Sequence, residues 1–197
     1  MKFTLPALMI MAIGCANTAG AMPVESFLMK PTGSYHVGYQ DYHWINEQSC
    51  PDPLYSYHSS TADYSDNNTK HCRELTARIY YPTLANAETG NEYYPPFVAS
   101  QQEMMQFIPE MKNEDILQLS DIKTFTFANQ PVASDKQFPV ILFAAGAGIP
   151  SQAYENVISE LVSQGYIVVG FNSSFINLTA LPNGHVIQPP TDATMEE

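Results

Sequence analysis

The 197-residue sequence predicts an α/β fold built on a mostly parallel sheet, and three observations between Phe138 and Phe171 predict it. Val140, Ile141, Leu142, Phe143, Ala144 and Ala145 form a continuous apolar run rather than an alternating one, as expected of a strand covered on both faces. After a glycine-rich turn, Gly146 to Pro150, the residues Tyr154, Val157, Ile158, Leu161 and Val162 recur at helical spacing and define one apolar stripe. Gly165 then occupies the position of a left-handed helix stop, and Tyr166 to Val169 supply a second apolar strand. Strand, helix and strand make one βαβ unit with a right-handed crossover, and Ser151 is the candidate N-cap of its helix.

The other elements follow in chain order. Residues 22–32 read as an extended arm, and Gly33 to Trp44 as a tyrosine-rich strand region. Cys50 to Cys72 enclose a polar stretch without apolar periodicity, read as a surface loop. Leu75 to Tyr81 is the next strand, with Pro82 as its expected end. Ala85 to Pro96 is a loop, and Gln101 to Ile108 a helix broken at Pro109. Lys123 to Phe127 has strand character, and there is no internal repeat.

The first 21 residues read as a targeting segment. Lys2 is its basic region, Phe3 to Ile13 its apolar region, and Ala19-Gly20-Ala21 an A-x-A cleavage site. A second reading competes, because Ala12-Ile13-Gly14-Cys15 resembles a lipobox in which Cys15 is lipidated. The first reading implies a secreted or periplasmic protein, and the second a lipid-anchored one. The apolar run is too short to span a membrane. In either case Cys50 and Cys72 remain as an even pair in an exported chain, for which a disulfide is expected. Closing a loop of that size contributes about 3 kcal/mol in the chain-entropy model.

Twenty acidic residues against eight basic ones give a net charge of −12, which argues against nucleic acid or an anionic membrane surface as partner. His58, Asp63, Asp66 and His71 match no zinc spacing, and Asp63 to Lys70 lacks the glycine and glutamate of a calcium loop. A solvated loop is the better reading. His36, His43 and His185 have no acid or base partner at a telling spacing and are read as structural. Asn67, Asn172 and Asn177 each begin an N-glycosylation pattern, a short and frequent one. Tyr39, Tyr42 and Trp44 are read as strand packing, with a lipid-facing groove as the alternative.

One resemblance covers about residues 33–188. The oxyanion strand FPVILFAAGAG followed by LVSQGYIVVGF is similar to the secreted platelet-activating-factor acetylhydrolases of the α/β-hydrolase superfamily. Three further matches occur in the same order. Gly33-Ser34-Tyr35-His36-Val37-Gly38 resembles the family's opening Gly-x-Tyr-x-Val-Gly. Arg78 to Pro82 resembles its Arg-x-Tyr-Tyr-Pro strand, and Asn183-Gly184-His185-Val186 a hairpin of its bacterial members.

The resemblance implies the N-terminal part of an α/β-hydrolase over residues 22–197, with its first strands and crossover helix. It implies a serine ester hydrolase acting on short acyl esters of lipids or on similar small esters, with no cofactor and no metal. Its mechanism would be acyl transfer through an activated serine, with the backbone N–H of Ala147 as an oxyanion-hole donor. Three departures accompany the match, the first being Asn172-Ser173-Ser174-Phe175 after the second strand, where the family usually has charged residues. The family's Ser-His-Gly is Ala144-Ala145-Gly146 here, so the histidine that braces the loop is absent. No G-x-S-x-G occurs in the sequence, and the family's serine, aspartate and histidine would follow Glu197. The expectation is a chain inactive by itself, or alternatively a secreted binding protein or a pseudogene-like fragment. The family's nucleophile strand pairs beside Val140 to Ala145, so an unpaired apolar edge is expected there.

Overall fold

The computed structural model describes residues 28–50, 72–85, 93–98, 122 and 124–187. The targeting segment with Cys15, the loop residues His58, Asp63, Asp66, Asn67 and His71, and the Gln101 to Ile108 helix lie outside these residues.

Five strands form the main sheet: β1 (His36–Asn46), β2 (Arg73–Thr83), β3 (Thr126–Ala128), β4 (Val140–Ala144) and β5 (Ile167–Ser173). Their order is β3-β1-β2-β5-β4. β1 pairs antiparallel with β2 over eleven residues, and β2 pairs antiparallel with β5. β1–β3 and β4–β5 are the parallel pairs. The sheet is therefore mixed. Antiparallel pairing of the long N-terminal strands accompanies the parallel βαβ unit. A second small sheet pairs β6 (Thr179–Ala180) with β7 (Val186–Ile187), the expected hairpin around Asn183-Gly184.

Helix α1 (Glu155–Ser163) crosses from β4 to β5 after a short 3-10 turn, Ser151–Tyr154. Ile158 and Val162 are wholly buried, and they pack with Val37, Tyr80 and Val168 from β1, β2 and β5. Each such side chain contributes about 1.5–3 kcal/mol by leaving water. Gly165, at φ +99°, ends the helix, and its N–H donates to the Val162 carbonyl at 2.9 Å. The arm before β1 is fastened to the same helix. Thr32 donates twice to the Glu160 carboxylate, from its N–H at 2.8 Å and its hydroxyl at 2.6 Å. The Gly33 N–H donates to Ser163 Oγ at 3.0 Å.

Several expectations need correction. Val157 is 56% exposed, so the buried stripe of α1 is narrower than its apolar pattern. Ser151 does not cap α1; the N-cap is Tyr154 and makes no side-chain cap bond. β2 continues through Pro82 to Thr83. The missing N–H of Pro82 is tolerated because the β5 ladder stops at Tyr80, leaving Pro82 opposite Val37 alone. The strand expected within Lys123 to Phe127 is β3, displaced to Thr126–Ala128.

The strand expected to be covered on both faces is covered on one. In β4, Ile141 and Phe143 face the core under α1, whereas Val140 and Leu142 are 59% and 72% exposed. Side chains alternate along a strand, so the open face is the one opposite the helix. β4 is also the last strand in the sheet order, with β5 its partner among the described residues. Among the described residues β4 is thus an edge strand with apolar side chains exposed.

Cys50 and Cys72 are joined by a disulfide across the loop-bearing end of the β1–β2 ladder, whose last pair is Asn46 with Arg73. The Arg73 N–H donates to the Ser49 carbonyl at 3.2 Å beside it.

Two outcomes follow. Ile158→Ala should lower the unfolding free energy by about 2–5 kcal/mol, whereas Leu142→Thr on the open face should change it by no more than about 0.5 kcal/mol. Thermal melts of the two variants side by side would measure this. Non-reducing peptide mapping of exported protein should recover a Cys50–Cys72 linked pair, and free thiols at both positions would contradict the bond.

Candidate oxyanion site

β4 ends at Ala144, and the chain turns through Gly146 to Ile149. The Ile149 N–H donates to the Gly146 carbonyl at 3.3 Å, closing a four-residue turn. Gly148, at φ +82°, takes its third position, where a positive φ suits glycine. In such a turn the inner bond leaves the two central N–H groups unused. One of them, on Gly148, donates to the Ile176 carbonyl at 2.8 Å. The other belongs to Ala147, on the exposed crest of the loop, and it finds no acceptor among the described residues. Ala147 is the residue that the sequence nominated.

The floor of the loop comes from the segment after β5. Asn177 is buried, and its Nδ2 donates to the Gly146 carbonyl at 2.9 Å and the Ile149 carbonyl at 3.0 Å. Its Oδ1 accepts from the Ser173 N–H at 3.1 Å. Asn172, also buried, accepts at Oδ1 from the Ser151 N–H at 2.8 Å. The sequence marked Asn177 only as a glycosylation pattern, and Asn172 as such a pattern and as a departure from the family's charged residues. Their amides are instead engaged inside the fold. The available signal was their position at the carboxyl end of a parallel strand, where α/β sheets build their sites.

A polar cluster is built on the buried Arg78 and Glu155. Arg78 holds Asp41 with two parallel bonds, Nε to Oδ1 at 2.7 Å and Nη2 to Oδ2 at 2.9 Å. It also donates to the Tyr94 carbonyl and lies 4.0 Å over the Tyr39 ring. Burial works to lower the Arg78 pKa, but Asp41, together with Tyr80 and Tyr39, outweighs it and keeps the guanidinium charged. Glu155, the first residue of α1, accepts from the Thr126 hydroxyl at 2.9 Å. Burial pushes its carboxyl above the ordinary range, against the opposing pull of Arg78 and Thr126. The Tyr80 hydroxyl is buried with no partner among the described residues.

The remaining candidates separate. His43 is not alone, because its Nε2 meets Glu74 Oε2 at 2.6 Å across the β1–β2 ladder. Their closeness comes from pairing of distant strands, which spacing in sequence does not reveal. His36 lies exposed at the start of β1 with its ring 6.4 Å from that of Phe127, and His185 lies in the β6–β7 hairpin. Tyr42 and Trp44 stack with ring centres 5.6 Å apart, while Tyr39 packs against the α1 core. The three aromatic residues thus form no single groove. Among the described residues no group of three His, Cys, Asp or Glu could hold a metal ion, and no helix is long and apolar enough to cross a membrane.

A mixed sheet with a crossover helix and an N–H-bearing loop at the end of β4 defines a partial α/β-hydrolase fold. The solved structure of a ferulic acid esterase from Streptomyces cinnamoneus shares it, with a TM-score of 0.59 at 18% identity. The similarity covers 82% of this chain and 40% of the esterase, so the chain spans well under half of that protein's length. No curated protein matches the sequence. The family described as platelet-activating factor acetylhydrolase, isoform II, matches residues 23–173, and the chain belongs to that family.

The Glu155 shift carries a sign. A carboxyl whose pKa is raised on folding binds its proton more tightly in the folded state, so stability is greatest below the unfolded value of 4.5 and falls as pH rises through the folded value. Glu155→Gln keeps an oxygen for Thr126 and removes the charge. It should flatten that slope and raise the melting midpoint at pH 8 by about 2–4 °C, the effect of about 1 kcal/mol. Melts of both proteins from pH 4 to pH 8 would measure the difference.

Proposed function

We propose that this chain supplies the oxyanion-hole half of a serine ester hydrolase acting on short acyl esters of lipids or on similar small esters. One observation carries the proposal: Ala147 is exposed and its N–H is without an acceptor among the described residues, on a turn whose Gly148 and Ile149 N–H groups and Gly146 and Ile149 carbonyls are engaged. In acyl transfer the carbonyl oxygen of the ester becomes an oxyanion as the nucleophile attacks. A donor already aimed at that position stabilises the charge without reorganising. Family membership supports the ester as substrate class. The serine, its base and its acid would have to come from elements other than residues 1–197, whose sequence holds no G-x-S-x-G.

Residues 1–21 would direct export, with cleavage after Ala21 as the first reading and lipidation of Cys15 as the alternative. The Cys50–Cys72 disulfide supports an oxidising compartment. The substitution of Ala145 for the family's histidine favours a second reading, a secreted protein that binds an ester without turning it over.

Residues 22–197 alone should neither hydrolyse short-chain p-nitrophenyl esters nor be labelled stoichiometrically at serine by a fluorophosphonate. Expressed together with the nucleophile-bearing elements of a family member, the same residues should support turnover. Ala147→Pro, which removes the N–H, should then lower kcat by about 10²–10³-fold. Turnover unaffected by Ala147→Pro would exclude the oxyanion role. Ester binding without turnover in the combined protein would favour the second reading.

A further inference from the structure

We infer that Asn177 is the positioning residue of the oxyanion loop, taking the place of the side-chain brace that Ala145 cannot provide. The inference rests on the oxyanion reading of Ala147 for its functional meaning, and on geometry for everything else. An N–H helps an oxyanion only if its direction is set beforehand. The direction of the Ala147 N–H is set by the peptide planes around it. The turn bond from Ile149 to Gly146 is long, at 3.3 Å, and Ala145 and Ala147 have no polar side chains to add to it. Asn177 bridges the turn from below. Its single Nδ2 donates to the carbonyls of Gly146 and Ile149, at 2.9 and 3.0 Å, the first and last residues of the turn.

The brace is itself held. Oδ1 of Asn177 accepts from the Ser173 N–H at 3.1 Å, and the Asn177 N–H donates to the Ser173 carbonyl at 2.9 Å. The side chain is 3% exposed. The chain reaches this position through a tight reversal, with Phe175 at φ +67°. The neighbouring Ile176 carbonyl takes the Gly148 N–H at 2.8 Å. Asn172 extends the arrangement to two residues beyond the turn, fixing the Ser151 N–H at 2.8 Å. Ala147 is left as the unengaged donor between two clamped ends.

The two atoms of the amide have separable tasks, and that makes the inference testable. Oδ1 holds the 173–177 reversal, and Nδ2 holds the loop. Asn177→Asp keeps the acceptor and the volume but removes both donated bonds. Hydrogen exchange of residues 22–197, read by mass spectrometry on peptides, tolerates self-association and needs no ester. In Asn177→Asp, exchange of the amides at 148–151 should rise by about tenfold to a hundredfold, the consequence of losing two hydrogen bonds. Peptides from 171–175 and from β1 and β2 should keep wild-type protection. In Asn177→Ala, both the loop and the 171–175 segment should lose protection, with β1 and β2 unchanged.

Wild-type protection of the loop in Asn177→Asp would overturn the inference. If Asn177→Asp loosens all strands, Asn177→Ala decides. Loss confined to the loop and the reversal sustains the inference, and loss of equal size in β1 and β2, or none in the loop, overturns it. The oxyanion reading fails separately, when Ala147→Pro leaves turnover unchanged in the combined protein.

Discussion

The seating of α1 on the sheet is the constraint on which the rest of this structure depends. Ile158 and Val162 fill the hollow between Val37, Tyr80 and Val168, and so one helix binds β1, β2 and β5 together. The loop at the end of β4 is the segment that enters this helix, so its position follows from where the helix can pack. Gly170 completes the fit. A Cβ there would lie 3.0 Å from Ser151 Oγ, so the turn leading into α1 sits directly on the strand. The N-terminal arm is bonded to Glu160 and Ser163 of the same helix, and thus depends on it as well.

Beneath that apolar contact the fold carries charge where none could be left unpaired. Arg78 is one-sided in its reach: Asp41, the Tyr94 carbonyl and the Tyr39 ring together take up its donors and its face. Removing one member of such a set leaves a buried charge and costs more than the set contributes. Glu155 stands at the joint between this cluster and the turn that follows the loop after β4. Its raised pKa means that the start of α1 is held by a carboxyl poorly suited to being ionised there. The site therefore rests on a core that is apolar under the helix and ionic towards β3.

On the face opposite α1, the described residues of β4 and β1 leave apolar side chains exposed. Leu142 and Val140 face outward from β4, and Tyr42 and Trp44 stack on the same open face of β1. An apolar strand at a sheet edge is a template for pairing. This chain spans 40% of the esterase whose fold it shares.

The sequence by itself determined the βαβ unit, the left-handed Gly165, the disulfide partners and the loop that carries Ala147. These are local patterns: apolar period, turn chemistry and an even pair of cysteines. It also determined the family, through motifs spread along the chain in order. Only the tertiary structure decided that the sheet is mixed and that β4 is covered on one face, because strand pairing joins residues far apart in sequence. His43 meets Glu74 for that reason, and Arg78 meets Asp41. Asn172 and Asn177 are the plainest case. In sequence they begin short, common patterns on a polar stretch. In the fold, the parallel pairing of β4 with β5 sets their amides beneath the loop after β4, and a side-chain amide that can both donate and accept becomes its support.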